Sequence, residues 1–327
     1  MTPPYLHVRY PSAAARLPFR RLGSGPTPVH PLAGQPQVWV KDDSGYGTVY
    51  GGNKVRKLEW TLADLLGRGR RTVVTAGGTG SHHAVAVARY AAAAALRVDV
   101  VALEQPYDDH VARQLAAVLA TGARVRRVRT VPGGYVAAAR FLAEAAVTGR
   151  RPALLPIGGS SPRGCLGYVE AAFELAAQVE RGELPVPRRV LLPVGSGGTA
   201  AGLTLGLALA GLPTEVVGVL VNDRTRMGPA QVRRLAAAAA RLLRRAGASL
   251  PDGTRPAPLT VRRDWLGPGY GVATAESAAA AGWLTERAGL VTEPVYTAKA
   301  AAALRALVAD GTPDGPVLYW HTADGIA

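Results

Sequence analysis

Residues 190–203 read VLLPVGSGGTAAGL. A Val- and Leu-rich run ends in Gly195-Ser196-Gly197-Gly198-Thr199 and passes into a small-residue, Leu-containing stretch, which is the signature of a strand, a tight turn and a helix. Such a turn offers several backbone N–H groups and the positive end of a helix dipole to one phosphate. The hydroxyls of Ser196 and Thr199 can add donors. The same residues satisfy the G-x-G-x-x-A dinucleotide pattern, and Asn222 and Asp223 follow the next apolar run, near where a ribose-binding acid would fall. A nicotinamide-dependent oxidoreductase therefore competes with other phosphate-binding readings at this point.

Outward from that turn, short apolar runs alternate with Ala-rich helical stretches. The predicted strands are 37–41, 72–76, 98–103, 124–128, 153–157, 189–194, 215–221 and 317–320. The predicted helices are 54–68, 82–95, 108–121, 134–147, 165–182, 199–210, 229–246, 275–288 and 297–309. This order predicts an α/β protein with two domains, each a mostly parallel twisted sheet flanked by helices.

The chain has 327 residues, 48% hydrophobic and 19% charged, which excludes a disordered protein. Its net charge of +15 comes from Arg residues scattered over helices and turns. There is no basic run with interleaved aromatics, so no nucleic-acid partner is expected. Four lysines occur, Lys41, Lys54, Lys57 and Lys299, against 34 arginines. Arg cannot form a Schiff base, so any imine-forming residue is one of those four. The single cysteine, Cys165, allows no intrachain disulfide and reads as a small core residue. The N-terminal stretch is too polar and Pro-rich for a signal peptide, and residues 91–103 are too short and charged to span a bilayer. A cytoplasmic protein without a membrane partner is expected.

Three further stretches carry chemistry. In Gly51-Gly52-Asn53-Lys54-Val55-Arg56-Lys57, a Gly-Gly turn enters a helix whose first turn holds Lys54. A helix N-terminus disfavours an ammonium ion, and a neutral amine is the nucleophile that forms an imine. On spacing alone an ordinary capped helix start with an exposed lysine is the favoured reading. In Thr75-Ala76-Gly77-Gly78-Thr79-Gly80-Ser81-His82-His83, a strand–loop–helix joint presents N–H groups suited to a carboxylate, with Ser81 and two histidines as proton-transfer candidates. Ser81 is equally a helix N-cap. Adjacent histidines lack metal-site spacing, so no metal is expected. In Glu293-Pro294-Val295-Tyr296-Thr297, an aromatic and a hydroxyl precede a helix.

These four stretches, in this order, resemble the pyridoxal-phosphate (PLP)-dependent D-cysteine desulfhydrase and 1-aminocyclopropane-1-carboxylate (ACC) deaminase family, of the tryptophan-synthase-β-like fold type. The resemblance extends from about residue 20 to about 322 and includes Lys41-Asp42-Asp43, Gly158-Gly159-Ser160, GCLGYVE (164–170), GPGYG (267–271) and His321-Thr322. It implies a larger PLP-binding domain from 1–60 and 158–327, a smaller inserted domain from 61–157, and a homodimer. It implies a Schiff base on Lys54 beside Asn53, and a phosphate cup at Gly195, Ser196, Gly197, Gly198 and Thr199. Substrate is expected at Gly78, Thr79, Gly80, Ser81, His83 and Ser160. Tyr270 and Tyr296 match active-site tyrosines.

The implied reaction is α,β-elimination on a small amino acid, Lys54 removing the Cα proton with help from Ser81. ACC deaminases carry Glu after the tyrosine of the PVY motif, facing the cofactor's ring nitrogen. Here that position is Thr297, which resembles the desulfhydrase branch and argues against ACC ring opening. Other departures are His82 for the family's Asn, and Gly80 for its Gln. Losing the Gln is expected to open space for a larger substrate such as cysteate or a cysteine S-conjugate. The His82 change also leaves a PLP-binding protein without turnover as a reading. Ala323-Asp324 replaces two glycines, with a shorter tail expected beyond.

Overall fold

The computed structural model describes residues 2–311 and 314–322. A short helix α1 (Tyr5–Arg9) precedes strands β1 (Val29–Leu32) and β2 (Gln35–Asp42), then helix α2 (Asn53–Gly67). Alternation follows: β3 (Thr72–Gly78), α3 (His82–Ala93), β4 (Arg97–Leu103), α4 (Asp109–Leu119), β5 (Arg124–Val128), α5 (Val131–Val147) and β6 (Pro152–Leu155). After α6 (Pro162–Glu180) come β7 (Arg189–Val194), α7 (Gly198–Ala210), β8 (Glu215–Leu220), α8 (Pro229–Arg245) and β9 (Leu259–Arg262). The described chain ends with α9 (Ala275–Ala288), α10 (Thr297–Ala309) and β10 (Val317–His321).

These strands form two sheets. One has six strands in the order β1-β2-β10-β7-β8-β9, the other four in the order β5-β4-β3-β6. Every pairing is parallel except β1 with β2. The α/β architecture with mostly parallel sheets is therefore as the sequence predicts. Three elements escaped prediction. The segment Val29–Leu32 contains Pro31 and sits on an edge, where a missing N–H is tolerated. The four-residue strand β9 is the opposite edge and is too short for a periodic signal. Helix α1 spans only five residues. The expected strand 153–157 stops at Leu155, and Ile157–Gly159 turn as a 3-10 helix because Gly158 takes a φ of 64°.

Each sheet is buried on both faces. Around the larger one, α6, α7 and α8 pack Leu166, Leu203 and Val232 beneath Leu192 and Trp320, while Leu284, Ala301 and Leu304 of α9 and α10 pack against Val40 and Tyr319. Around the smaller one, Val85 of α3 meets Val73 and Val98, and Phe141 of α5 meets Val74 and Val101. Cys165 is a fully buried core residue. No described helix is long and apolar enough to cross a membrane.

A buried ionic cluster ties the larger sheet to α2. Arg56 donates to Asp43 at 2.8 and 3.0 Å and to Glu174 at 3.0 and 3.2 Å, and Lys41 donates to Glu174 at 2.7 Å. Trp320 and Tyr168 complete Asp43, and Thr27 bridges Asp43 and Glu174. Burial alone would push both carboxyls up; Arg56 holds them below the ordinary range instead. Breaking such a cluster strands a charge in the interior, so Arg56→Leu should cost about 3–5 kcal/mol of stability in urea or thermal melts. An unchanged unfolding midpoint would contradict that role.

Candidate active site

The C-terminal ends of β3 and β7 face one cavity of about 470 Å³, lined by residues from both sheets. Open parallel sheets place ligands at this end of their strands. Of the four lysines, Lys54 and Lys57 line the cavity. Lys41 is spent in the ionic cluster, and Lys299 donates to the carbonyls of Leu266 and Gly269 at 2.7 and 3.1 Å, holding the loop that carries Tyr270.

Lys54 lies in the first turn of α2, which enters through Gly52 at a φ of 85°. Its amine donates to Asn53 Oδ1 at 2.6 Å, and Asn53 Nδ2 donates to Thr199 Oγ1 at 3.2 Å. One amide thus couples the lysine to the glycine-rich turn. Burial pushes the Lys54 amine down to about 8, against the opposing attraction of Glu293. Burial, and not the helix dipole expected from the sequence, is the largest cause. Lys57 is also brought down, to about 7, by burial and then by Lys54, and its amine donates to Gly158 O at 3.0 Å.

The turn at Gly195–Thr199 starts α7 with Gly197 at a φ of 81°. Amides in a helix's first turn have no intrahelical acceptor. That of Gly198 donates to Ser160 Oγ at 3.0 Å, which also lies 2.8 Å from Ser196 Oγ. A Cβ on Gly198 would fall 2.4 Å from Ser160 Oγ, and one on Gly158 would fall 2.1 Å from Ser196 Oγ, so the two glycine loops dock only because neither carries a side chain there.

Tyr296 covers the cavity beside this turn. Its ring centroid is 5.9 Å from Lys54 Nζ, a Cβ on Gly195 would meet it at 2.8 Å, and its hydroxyl donates to Tyr270 OH at 3.0 Å. Burial raises both phenols, so they stay protonated. Thr297 begins α10. Its hydroxyl accepts from Glu293 N–H at 3.0 Å and lies 3.2 Å from Glu293 Oε1. The Glu293 carboxylate accepts the amides of Val295, Tyr296 and Thr297 at 2.9, 2.7 and 2.5 Å and also lines the cavity. The sequence quoted Glu293 only as part of a helix start; a carboxylate four residues before Thr297 was the available signal.

On the smaller sheet, Ser81 is both a cavity residue and the N-cap of α3, its Oγ accepting from Ala84 N–H at 3.4 Å. His82 Nδ1 lies 2.7 Å from Tyr50 OH, and its buried Nε2 has no protein partner among the described residues. Burial, then His110, bring His82 down to about 3, so the imidazole is neutral. Burial likewise lowers His83, whose Nε2 lies 3.0 Å from Thr75 Oγ1. Among the described residues no group of three or more His, Cys, Asp or Glu is arranged to hold a metal.

Two expectations for this loop fail. Thr79 and Gly80 do not line the cavity, whereas Gly78, Ser81, His82, His83 and Ser160 do. Thr79 turns inward, with its amide and hydroxyl both on Leu103 O at 2.9 and 3.1 Å. Gly80 opens no space for substrate: a Cβ there would meet Val111 Cγ2 at 2.9 Å and Gln105 Nε2 at 3.3 Å, and its amide donates to Gln105 Oε1 at 3.3 Å. Asp223, placed by sequence near a ribose, instead accepts the amide of Tyr270 at 3.1 Å. Residues 323 and 324 lie outside the described residues.

Comparison with known proteins agrees with this geometry. The family model described as pyridoxal-phosphate-dependent enzyme matches residues 20–323. The chain is 36% identical to a nocardicin C-9' epimerase of Nocardia uniformis subsp. tsuyamanensis over 94% of this chain and 92% of the relative. It is 33% identical to a D-cysteine desulfhydrase of Serratia proteamaculans over 88% of this chain and 86% of that one. A crystal structure of an ACC deaminase homologue superposes with a TM-score of 0.81 at 29% identity, covering 99% of this chain and 95% of that one. The nicotinamide reading falls with these matches: the chain belongs to the pyridoxal-phosphate-dependent enzyme family.

Proposed function

We propose that this chain is a lyase that removes the Cα proton and a β-substituent from a small amino acid, as a D-cysteine desulfhydrase does. The observation that carries the reading is the half-buried Lys54 amine, held by Asn53 against Thr199 of the glycine turn. That arrangement suits the cofactor: an amine near neutrality for the aldehyde, a glycine cradle for the phosphate, and an unpartnered His82 Nε2 within the cavity. Bound there, pyridoxal phosphate supplies the electron sink that acidifies the substrate's Cα–H bond.

The chain's own residues then divide the work. Gly195, Ser196, Gly197, Gly198 and Thr199, with Ser160 behind them, would hold the phosphate. Asn53 orients the Lys54 amine, which would take the Cα proton, and Ser81 Oγ in the same cavity would assist that transfer. Tyr270 and Tyr296, kept protonated by burial, donate hydrogen bonds. His82, neutral and fixed by Tyr50, would offer its free Nε2 to the cofactor. For D-cysteine the overall change is D-cysteine plus water giving pyruvate, ammonium and hydrogen sulfide; the C–S bond breaks with its electron pair on sulfur. Thr297, a cavity residue where ACC deaminases carry a carboxylate, sets this chain apart from them. Cysteate and cysteine S-conjugates are the alternative substrates.

The two-domain reading, 1–60 with 158–327 around an inserted 61–157, is supported by strand usage: the six-stranded sheet draws on residues both before and after the four-stranded one. A cytoplasmic homodimer completes the proposal, supported by the single buried cysteine and the family resemblance. A second reading, removal and return of the Cα proton without elimination, is favoured by the identity to an epimerase.

Two outcomes are expected. The neutral fraction of a Lys54 amine near 8 rises tenfold per pH unit below that value and levels off above it. Loading of pyridoxal phosphate onto apoprotein, followed by the visible band, should have the same profile; a rate still climbing steadily to pH 10 would mean an unshifted lysine. Holoenzyme given D-cysteine should release pyruvate and sulfide, and Lys54→Ala should lose at least about 10³-fold in kcat/KM. Exchange of the Cα hydrogen with solvent deuterium but no pyruvate would favour epimerisation, and a Lys54→Ala protein eliminating at the parent rate would refute the scheme.

A further inference from the structure

The cavity has an apolar wall that the elimination of hydrogen sulfide from cysteine does not require. On α5, Val131, Gly134, Tyr135 and Ala138 all line it. They follow the i, i+3, i+4, i+7 spacing of one helical stripe. The stripe adjoins the Ala137, Phe141 and Ala145 face that α5 buries in the smaller domain, and Ala138 packs at the edge of that core. Gly134 and Ala138 leave the stripe bare at its centre, with Tyr135 at its edge.

Facing it, Leu154 at the end of β6 and Ile157 in the following turn line the same cavity. Tyr135 is 75% exposed, Leu154 54% and Ile157 49%. Large apolar side chains left open to water are ordinary when scattered; gathered in one cavity beside a reactive lysine they mark a ligand. Met227 across the cleft adds an adaptable apolar surface.

We propose that the substrate's β-substituent is a bulky apolar group seated between the Val131–Tyr135 stripe and Leu154 with Ile157. An aryl or alkyl S-conjugate of cysteine, rather than cysteine itself, is then the preferred substrate class. This rests on the elimination reading above. The balanced reaction is R–S–CH2–CH(NH3+)–COO− plus water giving pyruvate, ammonium and R–SH, the thiol keeping the electron pair of the broken C–S bond together with a proton. The selectivity comes from apolar area removed from water when R docks.

The test uses holoenzyme and two pairs of compounds, each in both enantiomers. S-benzylcysteine is compared with cysteine by pyruvate release. Phenylalanine is compared with alanine by spectral titration and calorimetry, since neither carries a β-leaving group. Hiding a phenyl ring from water predicts at least about a tenfold preference for the aromatic member of each pair. L154D and, separately, Y135S should lower the phenylalanine-to-alanine affinity ratio about tenfold. Equal affinities for phenylalanine and alanine, a preference for alanine, or ratios unmoved in both variants would overturn the proposal; burial of the stripe against a second copy would give the first of these. If no compound yields pyruvate, the elimination reading fails on its own, and the phenylalanine–alanine comparison still decides the character of the wall. Failure to bind either amino acid would overturn the proposed seat for the β-substituent, while pyruvate release alone decides the elimination reading.

Discussion

Everything at the active site hangs on the Arg56 guanidinium. It lies two residues beyond Lys54 on α2 and is buried among Asp43, Glu174 and Thr27. Those partners belong to the end of β2, to α6 and to the segment before β1, so one cation fixes the first turn of α2 against three separate stretches of chain. Lys41 balances the second carboxylate, leaving two cations against two anions in the buried interior. Such clusters seldom add stability over apolar packing, but they tolerate one arrangement, because a displaced member leaves a bare charge. The entry of α2 is set by the same segment: Asp43 O accepts the amide of Gly52, and Asp43 N–H donates to His321 O of β10. Lys54 therefore projects from a backbone pinned on both sides.

With that turn fixed, the chemistry follows from burial. Lys54 is drawn toward neutrality because the surrounding protein shields its amine from much of the solvent, and Glu293 limits how far. Glu293 is itself held by three amides at the start of α10, so an anion, a tyrosine and a threonine arrive in the cavity from one helix N-terminus. Lys57 carries a comparable shift but spends its amine on the Gly158 carbonyl, in the loop that docks against the phosphate turn. Two adjacent lysines with lowered basicity thus hold different positions, one open to the cavity's centre and one bracing its rim.

Much of this was legible in the chain. Alternating apolar runs and Ala-rich stretches located the sheet interiors, since central parallel strands are apolar on both faces and leave a continuous signal. Edge strands β1 and β9 are short, half-exposed or Pro-containing, and gave none. The glycine turns and Lys54 were readable because each motif is contiguous. What the sequence hid were pairings between distant segments: Asn53 with Thr199, Tyr50 with His82, Tyr270 with Asp223. Gly80 misled for the same reason. Removing a side chain opens a cavity only if nothing else fills the place, and Gln105 and Val111, from a separate loop and helix, fill it. The apolar stripe of α5 was likewise invisible, because a helix start rich in Gly, Ala and Val reads as ordinary core until the fold shows that it lines the cavity.

The claim on which the whole account turns is that Lys54, and not its neighbour Lys57, bears the cofactor. Borohydride reduction of the holoenzyme fixes the cofactor to its lysine, and mass spectrometry of the digested protein locates it. The account predicts a single pyridoxyl group on Lys54. The same group on Lys57, or on Lys41 or Lys299, would contradict it.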